Sequence, residues 1–269
     1  MTRPISFLSD YGLSDEFVGV VHGVIAGIVP DARVIDITHG IPRQDVRAGA
    51  TVLARALPFM PAGVHLAVVD PDVGAQRRAV ALRTAEEGRL LVGPDNGLLV
   101  PAAERFGGVS EAVEISLSPW RLEPVSATFH GRDIFAPVAA RLAGGAPLAS
   151  AGTPLEPGEL VTVERTEPRR EGDALVAHVI GIDGYGNATL DAGHDDLVGS
   201  DLTLGDAMTA RAGSRRVRGV VARTFSDVAS GALLLYEDAG GSLALAVNGG
   251  AASALLGLRA GDEVRLEAE

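Results

Sequence analysis

The apolar residues of this chain follow one rhythm up to residue 143 and another beyond residue 158, and no single uniform architecture satisfies both. In the first stretch, strand-like segments at residues 4–8, 33–37, 64–69, 79–83 and 90–92 alternate with helical patterns at 15–28, 45–57, 97–106 and 132–142. Phe17, Val20, Val21, Val24 and Ile28 share one face of the first helix, Pro30 stops it, and Asp45 is placed to cap the second. This alternation predicts an α/β domain with a mostly parallel sheet flanked by helices. A Gly- and Pro-rich passage from Gly144 through Pro154 and Pro157 follows. Short alternating segments come after it, at 160–164, 175–182, 207–211, 217–223, 232–236, 243–247 and 263–266. They predict a smaller all-β domain, sandwich- or barrel-like. The expected division is residues 1–150 for an α/β catalytic domain and 158–269 for the β-rich one.

Composition narrows the chemistry. The chain has no cysteine, and all 23 of its basic residues are arginine. Thiol nucleophiles, thiolate metal sites and disulfides are excluded, as are Schiff-base and P-loop lysines. What remains is carboxylate, imidazole, guanidinium, hydroxyl and backbone chemistry. A formal net charge of −12 argues against a nucleic-acid partner. No apolar run approaches the ~18 residues of a membrane span, and the opening residues lack signal-peptide anatomy. A cytoplasmic protein without membrane association is the expectation. The dinucleotide and P-loop fingerprints are absent, so no pyrophosphate-bound cofactor is expected. Asp70, Asp72, Asp95 and Asp133 raise the idea of a hard-metal site, but no His-rich ligand spacing accompanies them, and no metal is expected.

Two stretches concentrate ionisable groups where an apolar run breaks into a turn. In Val69-Asp70-Pro71-Asp72-Val73-Gly74, Pro71 holds Asp70 extended at a strand end, and Arg77 lies within reach across the turn. Strand-end Asp-Pro is also ordinary turn punctuation, and an Asp–Arg pair can be a plain surface ion pair. In Phe129-His130-Gly131-Arg132-Asp133, the glycine-flanked His130 suits a general base. His22, His39, His65, His178 and His194 lack such company and read as structural or solvated. Asp10, in Ser9-Asp10-Tyr11-Gly12, can accept from a ribose diol or serve as a cap. Asp183-Gly184-Tyr185-Gly186-Asn187 offers an aromatic and an amide for a nucleobase, or a bare hairpin turn.

Together with Pro94-Asp95-Asn96-Gly97 and Thr224-Phe225, these motifs resemble the S-adenosylmethionine hydrolase (hydroxide adenosyltransferase) family, sister to the fluorinases and chlorinases. The resemblance spans nearly the whole chain with the motifs in order. It implies hydrolysis of S-adenosyl-L-methionine to adenosine and L-methionine by attack of an activated water at C5′, without a cofactor. It also implies a homotrimer with active sites between subunits. Asp70, Arg77 and His130 correspond to the set that holds the attacking water, with His130 the expected proton acceptor. Asp10 corresponds to the ribose-diol carboxylate and Asp183 to a contact with the methionine amine. Tyr185, Asn187, Phe225, Val247 and Gly249 correspond to positions around the adenine. The halogenases look different at the places of Asp70 and His130, which favours the hydrolase side. The Tyr236-Glu237-Asp238-Ala239-Gly240-Gly241 segment departs from the family pattern, and recognition of the methionine carboxylate is unassigned. A halogenase and a non-catalytic S-adenosylmethionine- or adenosine-binding protein are the competing readings.

Overall fold

A computed structural model describes residues 2–164 and 166–269. It divides into two compact units, Met1–Val163 and Glu164–Glu269. The first is built on seven strands: β1 (Ile5–Ser9), β2 (Val34–Thr38), β3 (Val64–Val68), β4 (Ala79–Thr84), β5 (Leu90–Pro94), β6 (Val109–Glu114) and β7 (Thr153–Leu155). Their order across the sheet is β2-β1-β3-β5-β4-β6-β7. The β2-β1-β3-β5 half is parallel, and β4, β6 and β7 extend it by antiparallel pairing. The sheet is therefore mixed, with its parallel part made by the strands that alternate with helices.

Four helices cover the sheet: α1 (Phe17–Ile28), α2 (Val46–Ala56), α3 (Val100–Glu104) and α4 (Ala136–Ala143). The period-two alternation of the strands decides which helix meets which face. Ile5, Phe7, Leu66, Val68, Ala81 and Val92 pack with Val21 and Ile25 of α1 and with Val138 and Leu142 of α4. Leu8, Ala67, Val80, Leu82 and Leu91 point the other way and pack with Leu53 of α2 and Ala102 of α3. Both faces are thus buried, and the strand ends are the natural place for polar chemistry. The pattern read as one helix over 132–142 is split into a π-helical turn, Gly131–Phe135, followed by α4 with Pro137 in its first turn. The segment 160–164 is not a strand. Asp95 accepts from its Val161 N–H at 2.8 Å, and Arg78 donates to the Glu159 carbonyl, so side chains replace a ladder partner.

The second unit contains β8 (Arg169–Glu171), β9 (Ala174–Ile182), β10 (Ala188–Gly193), β11 (Ala207–Ala212), β12 (Arg215–Val221), β13 (Leu233–Glu237), β14 (Ser242–Val247) and β15 (Glu263–Ala268). Short helices α5 (His194–Val198) and α6 (Ala252–Leu256) complete it. The sheet runs β10-β14-β13-β12-β11-β15-β9, and β9 pairs with β10 to close it into a barrel. β8 lies beside the first half of β9 on the flank that β10 takes along the second half. Leu175, Val179, Leu190, Leu235, Leu245, Val264 and Leu266 fill the interior. The all-β expectation holds, in its barrel form. Among the described residues, no helix is long and apolar enough to cross a membrane.

Asp45 caps α2 as its position foretold, its Oδ1 accepting from the Ala48 N–H at 2.9 Å. Asp45→Ala leaves that donor without its partner and is expected to cost about 1 kcal/mol of stability, read as a lower urea midpoint at unchanged slope.

Candidate active site

The parallel strands β2, β1, β3 and β5 end along one edge of the sheet, and a polar residue follows each: His39, Asp10, Asp70 and Asp95. This is the edge at which open α/β sheets bind their ligands. The turn after β3 is tight: the Val73 N–H donates to the Asp70 carbonyl at 3.3 Å and the Ala75 N–H to that of Asp72 at 3.0 Å. Asn96, in the loop after β5, donates to the Val69 carbonyl at 2.9 Å and steadies the approach to Asp70. The structure brings Asp70, Arg77 and His130 together. Arg77 Nε donates to Asp70 Oδ1 at 2.8 Å, and its Nη2 donates to Asp70 Oδ2. The same Nη2 donates to His130 Nδ1 at 2.9 Å. The Asp70 and Arg77 side chains are only 5% and 8% exposed, so this ion pair is shielded from bulk solvent. Arg77 also lies 5.3 Å from the centre of the Phe135 ring, a cation–π contact that holds the guanidinium plane.

Two glycines allow three chain segments to meet here. Gly74 has φ +80°, and a Cβ on it would collide with the Ala127 carbonyl oxygen, so only glycine lets the Asp70–Arg77 turn touch the loop before His130. A Cβ on Gly131 would run into the Tyr11 hydroxyl, which joins the Asp10–Tyr11 turn to the same place. Tyr11 is a residue that sequence reasoning quoted within a motif and gave no role. Burial, then the carboxylates of Asp10 and Asp70, push its phenol well above the usual range, so it stays protonated. Only its three-dimensional neighbours mark it; nothing in its local sequence does. Its ring lies 5.7 Å from Phe17 and 5.9 Å from Phe129, giving the charged cluster an apolar wall.

Burial and the Arg77 cation push the His130 imidazole below its ordinary range, with Asp70 and Asp133 opposing. The neutral ring therefore prevails near pH 7. An arginine N–H can only donate, so the Nδ1 lone pair is occupied and the neutral ring carries its proton on Nε2. In this arrangement His130 presents a donor, and it takes up a proton only by giving up the Arg77 bond. Arg132 and Asp133 pair with one another as their adjacency suggested, Nε to Oδ1 at 2.6 Å, and Asp133 also accepts from the Ser126 N–H at 2.8 Å. Asp10 accepts from the Gln44 N–H at 2.8 Å, and Gln44 has φ +65°.

Within the second unit, the turn of Asp183, Tyr185 and Asn187 lies beside the bridge of Val247 and Gly250, whereas Phe225 packs on Tyr236 near the other end of β13. Asp183 Oδ1 accepts from the N–H groups of Tyr185 and Asn187, both at 2.9 Å, and Oδ2 accepts from Asn187 Nδ2 at 2.8 Å. The carboxylate thus builds the turn that displays Tyr185, which is 83% exposed. The Ser253 N–H donates to the Gly186 carbonyl at 2.9 Å, and Gly186 packs against Ala251, so this turn abuts the Val247–Gly250 bridge with Gly249 at its tip. Asn248 Nδ2 donates to the Val228 carbonyl at 2.9 Å and draws in the turn carrying Phe225, whose ring lies 5.3 Å from Tyr236.

Comparison with known proteins fits both units. Residues 5–152 match the SAM hydroxide adenosyltransferase N-terminal domain, and residues 177–265 match the corresponding C-terminal domain. The chain belongs to the SAM hydroxide adenosyltransferase family. The (R)-S-adenosyl-L-methionine hydrolase of Salinispora tropica is 53% identical over 98% of this chain and 97% of its own length. A fluorinase of Nocardia brasiliensis is more distant, 30% identical over 98% of this chain and 97% of its own. The crystal structure of an uncharacterized conserved protein from Thermotoga maritima superposes with a TM-score of 0.91 at 38% identity, covering 98% of this chain and 99% of that one.

The lowered His130 pKa fixes the sign of a pH effect. Between the folded value and ~6.5, the unfolded chain holds a proton on this ring that the folded chain lacks. Its contribution to stability is complete above pH ~6.5 and is lost as the pH falls toward the folded value. Heteronuclear NMR of the imidazoles is expected to show His130 as the Nε2–H form at pH 7, titrating below the free-histidine range; an Nδ1–H signal would contradict the Arg77 contact.

Proposed function

We propose that this protein hydrolyses S-adenosyl-L-methionine to adenosine and L-methionine by direct attack of water on C5′ of the ribose. The observation that carries the reading is the guanidinium of Arg77 held between Asp70 and His130 at the parallel edge of the sheet. Arg77 and the His130 Nε2–H are donors and Asp70 is an acceptor, which is what a single water needs to be held in one orientation. The water oxygen forms its bond to C5′ as the C5′–S bond breaks, and the bonding pair passes to sulfur, neutralising the sulfonium. Methionine leaves as a neutral thioether and needs no acid. The proton shed by the oxygen passes to Asp70 and on to solvent. Fixing the water in line with the C5′–S bond is the main contribution, within the ~7–11 kcal/mol available to aligned reactants.

Asp10 is assigned to the ribose diol and Asp183 to the methionine amine. Tyr185, Asn187, Phe225, Val247 and Gly249 are assigned to the adenine. We further propose a cytoplasmic homotrimer with active sites at the subunit interfaces. A fluorinase is 30% identical over 98% of this chain, so the nucleophile has to be tested directly.

Incubation with S-adenosylmethionine in 18O-water is expected to release adenosine labelled at its 5′-hydroxyl; unlabelled adenosine, or a 5′-halogenated nucleoside when chloride or fluoride is present, would overturn the hydrolase assignment. Asp70→Asn and His130→Ala are each expected to lower kcat by ~10²–10⁴ with a smaller change in KM. Sedimentation equilibrium is expected to give three times the chain mass.

A further inference from the structure

We propose that His22, Asp36 and His39 form a binding site for a divalent transition cation of the zinc type, separate from the Asp70–Arg77–His130 cluster. Among the described residues, these three side chains offer ligand atoms that all lie within 4.8 Å of one another. His22 comes from α1, Asp36 from β2 and His39 from the turn after β2, so the site spans the helix and the edge of the sheet. His22 Nε2 is 2.9 Å from Asp36 Oδ1, and His39 Nε2 is 3.2 Å from the same oxygen. A tetrahedral ion with bonds of ~2.0–2.2 Å spaces its ligand atoms at roughly 3.3 Å, so little movement separates this arrangement from a coordination shell. Two imidazoles and one carboxylate favour zinc, nickel, cobalt or copper over magnesium and calcium, which prefer all-oxygen shells.

His39 distinguishes this group from a chance pair of surface ion contacts. Its side chain is only 3% exposed, and its Nε2 makes no hydrogen bond despite facing Asp36. A buried polar nitrogen without a partner is rare and calls for one. The other ring nitrogen, Nδ1, is 2.8 Å from Ser9 Oγ, the outer contact that fixes a metal-bound imidazole. With Nδ1 taken up by Ser9, Nε2 faces a carboxylate and a second imidazole, a set that a cation joins. Phe7 backs both rings, with centroids 4.6 Å from His39 and 6.1 Å from His22. The His22 and Asp36 side chains are 35% and 42% exposed, which leaves entry for the ion and room for water in the remaining position. The remaining histidine–carboxylate contacts lack this convergence: His178 meets Asp191 and Glu263 through different nitrogens, and His194 meets Glu237 alone. Because the Gly12 N–H donates to the His39 carbonyl at 2.7 Å, a bound ion would also tether the turn that carries Asp10.

The test uses the full-length chain stripped with chelator and titrated with Co²⁺, followed by its visible d–d absorption, with Zn²⁺ as competitor. Saturation at a single ion per chain and a Zn²⁺-dependent rise in Tm are expected. His22→Gln and Asp36→Asn, both at partly exposed positions, are each expected to weaken the affinity at least ~tenfold and abolish the Tm shift. They are preferred to changes at His39, whose buried ring packs on Phe7. No saturable binding by the unmodified chain, or binding that both variants retain unchanged, would overturn the site.

Discussion

The site rests on a guanidinium that satisfies two neighbours at once. Arg77 spends Nε and Nη2 on Asp70 and the same Nη2 on His130, so one side chain fixes the position of an anion and the protonation pattern of an imidazole. Lysine could not do this, because a point charge lacks the planar fork that reaches both oxygens of a carboxylate. The pairing requires that two loops far apart in sequence touch. Gly74 against Ala127, and Gly131 against Tyr11, are the contacts where the absence of a side chain permits it. The surrounding sheet supplies rigidity: with both faces covered by helices, the strand ends keep the loops at fixed separations.

The order of strands and helices was readable from the sequence wherever apolar periodicity ran undisturbed. β1, β3, α1 and α2 are of this kind, and Asp45 marked its helix end by chemistry alone. β6 escaped notice because Val109-Ser110-Glu111-Ala112-Val113-Glu114 has too few apolar residues to signal a strand; its place is set by pairing with β4 and β7. The segment 160–164 looked like a strand because it alternates, yet Asp95 and Arg78 hold it by side-chain bonds. Closure of the barrel through β9 and β10 depends on partners that no local window contains.

The same division applies to the site. Asp70, Arg77 and His130 stood out because each sits at a Gly- or Pro-marked break in an apolar run, and the structure brings Arg77 into contact with both of the others. Tyr11 did not stand out, since its importance lies in its contact with Gly131 and its place near two carboxylates. Nor could the sequence show which nitrogen of His130 carries the proton. That follows from the direction of one hydrogen bond.

The Asp70–Arg77–His130 cluster sums to zero charge when the imidazole is neutral, and this has a bearing on turnover. An uncharged cluster offers a sulfonium no net attraction, so the pull on a cationic reactant comes from the chain's overall excess of twelve negative charges. Once the carbon–sulfur bond is cut, the sulfonium charge no longer exists, and the acidic field holds the fragments less strongly than it held the intact cation. Departure of the fragments is then favoured by the electrostatics that brought the intact molecule in.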